Sequence, residues 1–372
     1  MPSYLKPTEL HEALTIRDLS NPDQGPHAMQ QLLHDTVRGL RGQWNVSERI
    51  IRHSPLVSVS DNYDRLGFSA ADVTRDQKYS RYISPTVMLR SHTSASIPSL
   101  LRSLDPDGSL DELWAIPGVV YRRDAIDRTH VGTPHQVDLW RVSSKETLTA
   151  SHLGEMVGSL VNAVLPGADW RTVPATHPYT HNGLQLDVRM NGEWLELAEC
   201  GLMAPQLFLD AGLNPGHWSG LALGMGLDRA LMLRKGVPDI RLLSSDDPRI
   251  QQQMLDLSPW RPVSHMPSIS RDISIVVAAD MDGEVLGDRV RTALGYRAED
   301  LESVELMALT AYHELPARAR DRLQILDGQA NALIRLVLRP LGRTMTDPEA
   351  NQVRDDVYLA LHEGPVKELI AG

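Results

Sequence analysis

Residues 113–142 read "LWAIPGVVYRRDAIDRTHVGTPHQVDLWRV". Two stretches rich in Val, Leu and Trp enclose a loop that collects Arg122, Arg123, Asp124, Asp127, Arg128 and His130 within nine positions. The flanks predict two strands, as apolar and β-branched runs bounded by turn residues do. A charge run is most often a solvated loop. Held between two strands, the same groups can also grip a highly charged ligand such as a nucleoside triphosphate.

Outward from this unit the pattern is mixed. Upstream, "GPHAMQQLLHDTVRGLRGQW" spaces its apolar residues for a helix over about 27–41. In "SPTVMLRSHTSASIPSLLRSL" a short strand should run into a helix that begins near Ser94 to Pro98. Downstream, a helix is expected over about 147–164. "LQLDVRM" and "EWLELAECGL" follow as a hairpin about Asn191-Gly192. "SGLALGMGLDRALMLRKGVPDIRLL" then predicts a strand, a Gly-rich bend and a short helix stopped by Gly236 and Pro238. Residues 258–270, "SPWRPVSHMPSIS", have the Pro and Ser content of a linker. Beyond it, "RDISIVVAA", two helical stretches and "ALIRLVLRPL" suit a compact α+β domain. Mostly antiparallel strands with segregated helices indicate the α+β class.

Bulk composition narrows the function classes. The chain has 372 residues, 42% of them hydrophobic, and 48 acidic against 37 basic groups give a net charge of −11. That balance argues against nonspecific binding to nucleic acid or an anionic membrane. A single cysteine, Cys200, excludes an internal disulfide and a CxxC metal site, and fits a reducing compartment. The first residues, "MPSYLKPTELHEALTIRDL", lack the apolar core of a signal peptide, and no apolar run is long enough to span a bilayer. A cytoplasmic protein without a membrane partner is expected.

The run "GMGLDR" (224–229) is not a dinucleotide fingerprint, because Arg229 occupies the place of the third glycine, and the chain has no P-loop. Arg229 at a helix start is a planar, permanent cation that can stack on a purine or fork to a phosphate. Glycines beside it let a flat ring approach the backbone.

The two regions together, strand–charged loop–strand and Gly-x-Gly-x-Asp-Arg, resemble motifs 2 and 3 of class II aminoacyl-tRNA synthetases. In order along the chain, "LRSHTSA", "VVYRRDAIDRTH", "HQVD", "GEWLELAECGLM", "GMGLDRALML" and "PDIRLL" resemble the catalytic domain of phenylalanyl-tRNA synthetase. "PSISRDISIVV" and "GRTMTDPEA" resemble that family's C-terminal ferredoxin-like anticodon-binding domain. The resemblance covers nearly all of residues 30–370 and follows the layout of the single-chain mitochondrial enzyme. It implies a class II antiparallel sheet flanked by helices over 1–257, the linker over 258–270, and the ferredoxin-like domain over 271–372.

The resemblance also implies roles. Arg122 and Arg229 would be the catalytic cations: Arg122 on the α-phosphate of ATP, Arg229 on the adenine or the γ-phosphate. Asp124 would accept from the adenine amino group and His130 would meet the outer phosphates. Gly226 and Asp228 would complete the ATP site, and Glu196 would be a ligand for Mg²⁺, which takes one or two carboxylates beside phosphate. His92, Ser94, Gln136 and Asp138 match the positions around the substrate's amino and carboxylate groups, Asp138 standing where the family usually has Glu. Helix capping is the plainer reading of Thr93 or Ser94.

The amino-acid pocket departs from the family. Its Phe-Pro-Phe-Thr signature is replaced by "HPYTHNG", with His177 and Tyr179 at the two phenylalanine positions, and Glu199 stands where glycine is usual. Gln185 replaces a common carboxylate, and Pro134 a usual Phe. His177 and His181 are four apart, but Pro178 argues against a helix that would pair them on a metal. A polar pocket rejects a bare phenyl ring unless its groups are otherwise satisfied, so an amino acid with a hydroxyl, amide or other polar side chain is expected. Residues 261–372 hold 13 basic against 18 acidic groups, a net of −5. A tRNA-binding face there would have to come from Arg318, Arg320, Arg322 and Arg343. The expected activity is formation of an aminoacyl adenylate and its transfer to tRNA, by a monomer or homodimer that needs no separate β subunit. The alternative is a paralogue that hands the activated amino acid to a non-tRNA acceptor.

Overall fold

The structure is a computed structural model that describes residues 4–76, 80–122, 127–190, 192–263 and 267–367. Asp124 and Asn191 lie outside the described residues. The chain divides into two compact units. One comprises Met1–Arg122, Thr133–Val237 and Gln252–Trp260; the other comprises Arg123–Gly132, Pro238–Gln251 and Arg261–Gly372.

The strands of the first unit are β1 (Ser47–Ile50), β2 (Leu56–Ser58), β3 (Arg81–Tyr82), β4 (Val87–Leu89), β5 (Asp111–Val119) and β6 (His135–Ser143). They continue with β7 (Trp170–Pro174), β8 (Thr180–Met190), β9 (Glu193–Met203) and β10 (Ser219–Gly226). Seven of them form one sheet in the order β1-β5-β6-β10-β9-β8-β7. Every pairing in it is antiparallel except β1 with β5. β2, β4 and β3 make a small separate sheet.

Almost every residue of β5 and β6 is buried, so both faces of the sheet centre are covered. On one face lies a cluster that includes Trp114, Trp140, Phe208 and Trp218. Two long helices pack against each other and reach β5 and β9. Ala28–Trp44 buries Met29, Leu32, Leu33, Val37 and Leu40, a stripe with 3.6-residue period. Ala150–Val164 answers with Leu153, Met156, Val157, Leu160, Val161 and Val164. Each such side chain contributes roughly 1.5–3 kcal/mol when fully buried. The first helix ends at Asn45, whose left-handed φ of 51° stops it.

The second unit contains β11 (Ile269–Ala278), the helix Gly283–Leu294, β12 (Leu301–Ala311), the short helix Ala317–Leu323, β13 (Gln329–Leu338) and the helix Asp347–Leu361. Its antiparallel sheet has the order β11-β13-β12. Its own core holds Ile273, Ile275, Leu286, Val290, Ile334 and Val357. Strand, helix, strand, strand, helix follows the ferredoxin-like β-α-β-β-α-β order up to its last strand. β12 lies between the two helices Gly283–Leu294 and Ala317–Leu323 and was not read as a separate strand from the sequence. Among the described residues no helix is long and apolar enough to cross a membrane.

Candidate active site

Four strands bring polar positions into one row. Side chains alternate across a strand, so Gln136, Asp138 and Trp140 of β6 share a face. The register sets Asp138 opposite Gly224 on β10, Gly224 opposite Glu199 on β9, and Glu199 opposite Gln185 on β8. Gly224 leaves the middle of the row without a side chain. A cavity of about 50 Å³ opens there, walled by Gln136, Asp138, His177, Tyr179, Glu199 and Gly224 among others. It is several times the ~10–15 Å³ that one water needs.

Asp138 is only 1% exposed. Its carboxylate accepts hydrogen bonds from the Thr93 hydroxyl, from Ser94 Oγ at 2.7 Å and from Trp140 Nε1 at 3.0 Å. Burial raises its pKa, and the three donors work against that rise. The hydroxyls of Thr93 and Ser94 therefore serve Asp138. His177 Nε2 lies 2.9 Å from Glu199 Oε2. That hydrogen bond holds Glu199 below its ordinary pKa against the effect of burial. Tyr179 neighbours Trp140 at 5.8 Å, His177 at 5.9 Å and Phe68 at 6.2 Å between ring centroids. Burial, then the charge of Asp138, pushes its phenol upward, so it stays protonated. Burial also pushes the Cys200 thiol up to about 12, which keeps it a neutral group in the pocket wall.

His92 precedes the 3₁₀ turn Thr93–Ser96. Its ring stacks on Phe68 at 5.6 Å, and both ring nitrogens are buried without a hydrogen-bond partner among the described residues. Burial pulls its pKa down to about 4 and the charges of Arg122 and Arg90 add to this. The Asn62 backbone opposes the shift but makes no hydrogen bond of good geometry with the ring.

Three separated stretches bring charge together beside this pocket. Arg122 follows β5, Glu196 sits on β9, and Arg229 lies in the first turn of the helix Leu227–Lys235. Glu196 is exposed, yet partial desolvation, and then the neighbouring charge of Glu199, raise its pKa, while Arg229 and Arg122 pull it back. Among the described residues no group of three or more His, Cys, Asp or Glu forms a metal cluster, so Glu196 would act as a single carboxylate. Gly226 caps the helix start and has open space where a Cβ would stand. Asp228, 5% exposed, accepts from the His135 backbone N–H and lies 3.1 Å from its Nδ1. Leu19 N–H donates to His135 Nε2, so the ring proton sits on Nδ1, facing Asp228. Asp228 thus ties the start of that helix to the start of β6. His130 belongs to the second unit, with Nδ1 2.7 Å from Asp127 Oδ2. Despite partial burial, that contact holds Asp127 well below the usual carboxylate range.

Residues 31–254, more than half of the chain, match the family model of the tRNA synthetases class II core domain (F). The chain belongs to the class II tRNA synthetase family. Among similar proteins is the phenylalanine–tRNA ligase alpha subunit of Prochlorococcus marinus (strain MIT 9313), 35% identical over 51% of this chain and 56% of its own length. The chain thus spans about half of that relative. The probable mitochondrial phenylalanine–tRNA ligase of Drosophila melanogaster is 26% identical over 82% of this chain and 76% of its own length. The mitochondrial phenylalanine–tRNA ligase of Mus musculus is 27% identical over 91% of this chain and 84% of its own length.

In this class II chain Arg122 and Arg229 lie within electrostatic reach of Glu196, and one pocket is lined by Gln136, Asp138, His177, Tyr179 and Glu199 among others. Ser94 joins that pocket through Asp138, and Asp228 is turned to His135. Gly224, Thr180 and Cys200 also line the cavity, although the sequence did not assign them to the amino-acid pocket. Gly224 was within reach: it stands two residues before Gly226, the spacing that puts both on one face of a strand.

Proposed function

We propose that the chain joins an amino acid to AMP at the expense of ATP and then transfers the aminoacyl group to tRNA. The observation that carries this reading is that Arg229 and Arg122 both act electrostatically on Glu196, whose charged neighbour Glu199 lines the polar pocket. In the first step a carboxylate oxygen of the amino acid attacks the α-phosphorus, and pyrophosphate leaves. Negative charge builds on the α-phosphate oxygens, where Arg122 would stabilise it. Arg229, planar and always charged, would stack on the adenine or hold the γ-phosphate, and the bare backbone at Gly226 lets the ring approach. Asp124 and His130 are proposed for the adenine amino group and the outer phosphates. Glu196 fits a Mg²⁺ ion, because it is a carboxylate with acidic neighbours and a raised pKa that a cation would relieve. Bound there, Mg²⁺ would neutralise phosphate charge. In the second step a terminal ribose hydroxyl of tRNA attacks the acyl carbonyl and AMP leaves.

The printed names of the relatives favour tRNA as acceptor. The relatives matched over most of the chain carry no subunit designation, whereas the alpha-subunit relative matches about half of it. This supports action without a separate β subunit, as a monomer or homodimer. The cytoplasm is the proposed compartment, and imaging of the tagged full chain tests it against the "mitochondrial" in two relatives' names. The decisive assay is ATP–pyrophosphate exchange with a panel of amino acids. Arg229→Ala should lower exchange at least about 100-fold, the scale of a lost transition-state donor. Exchange equal to wild type in that variant would remove the ATP assignment.

A further inference from the structure

We propose that the pocket selects an amino acid whose side chain ends in a hydrogen-bond donor, and that Glu199, held by His177, is the residue that reads it. The inference rests on the activation reading above and deepens it. Among the described residues two acceptors of the pocket stay open: Gln136 Oε1, buried without a hydrogen-bond partner, and, of the two carboxylates, Glu199. Both oxygens of Asp138 are taken up by Thr93, Ser94 and Trp140. His177 uses Nε2 on Glu199 and has Nδ1 3.3 Å from Thr180 Oγ1. Gln185, at the outer end of the row, donates to Asp187 at 2.7 Å. Among the described residues Glu199 receives one side-chain hydrogen bond, that of His177 on Oε2, and its side chain is 45% exposed. It therefore keeps acceptor capacity beside the gap above Gly224.

A phenyl ring placed there would strip water from Glu199 and return no hydrogen bond, which is the costly way to bury a charge. A hydroxyl, amide N–H, ring N–H or ammonium on the substrate replaces that water. A side-chain carboxylate meets a like charge and is excluded. Gly224 keeps the gap open: an added Cβ would stand 3.4 Å from Gln136 Nε2 and 3.9 Å from Asp138 Oδ1, filling the space without a clash.

The test is calorimetric binding of L-phenylalanine, L-tyrosine, L-histidine, L-glutamine, L-serine and L-glutamate to the full chain without ATP. At least one donor-bearing amino acid should bind about 10-fold or more tightly than phenylalanine, and glutamate should bind weakest. Glu199→Leu should erase at least about 10-fold of that preference while phenylalanine binding holds or improves. Glu199→Gln, which keeps an acceptor oxygen, should retain part of it and guards against misfolding, checked by the melting curve. Phenylalanine or glutamate binding best overturns the proposal. So does an equal loss for every amino acid in Glu199→Leu, which would put Glu199 on the common α-ammonium, and so does no binding at millimolar concentration. Binding without pyrophosphate exchange would instead strike the activation reading alone.

Discussion

Burial of both ring nitrogens of His92, which among the described residues have no hydrogen-bond partner of good geometry, makes it a measurable proton sensor. Its folded-state pKa of about 4 lies below the ordinary 6.5. As pH falls, the unfolded chain takes up the proton first, so the stability tied to neutral His92 is present above about 6.5 and is lost on the way to about 4. Across that window the loss is on the order of 3 kcal/mol. Chemical denaturation at the two ends should show wild type losing that much more than His92→Gln; equal losses would contradict the burial of a neutral imidazole. At this scale the sequence reveals residue types and little about their partners. Asp138 in place of Glu reads as a shorter reach toward substrate. In the fold its oxygens are occupied by Thr93, Ser94 and Trp140.

Elements were more legible than partners. The helix expected over 27–41 is found at Ala28–Trp44, and the strands flanking the charged loop are β5 and β6. Their apolar periods are set by local geometry, which the chain carries in its own order. β12 was hidden because "LESVELMALTA" is built largely of helix formers, and register shifts at Leu301/Ser303 and Leu306/Ala308 break its alternation. Pairing with β13 overrides that propensity. One glycine shows how tightly an element can be bound to its neighbour. Gly118 on β5 has φ +146°, and a Cβ there would stand 2.0 Å from Arg90 Nη2. Arg90 is 3% exposed and donates from Nε to the Val119 carbonyl, so it has little room to withdraw. Gly118→Ala should cost roughly 1–3 kcal/mol of unfolding free energy in urea titration; an unchanged midpoint would show that backbone and arginine relax freely.

For the whole molecule the open quantity is the electrostatic face of the second unit, whose residues 261–372 sum to −5. Arg343 is ion-paired with Asp300 at 3.1 Å and Glu349 at 2.9 Å. Arg320 lies over the Tyr312 ring at 5.0 Å. Helical period sets Arg318 and Arg322, four apart, on one side of Ala317–Leu323 and Arg320 on another. Replacing Arg318, Arg320 and Arg322 together with Ala should flatten the log–log salt dependence of tRNA binding by about one unit of slope for each phosphate that they neutralise. Pyrophosphate exchange should be unchanged. An unaltered slope would place the tRNA-binding surface elsewhere. The sequence by itself determined the α+β class, the strand–loop–strand and glycine-bend–helix units, and the candidate cations Arg122 and Arg229, because period and motif are properties of neighbouring residues. Only the tertiary structure decided that Asp138, Gly224, Glu199 and Gln185 form one row, that both oxygens of Asp138 are engaged, and that His177 meets Glu199. Those relations depend on strand register between distant segments, and a shift of one residue would turn each side chain to the opposite face.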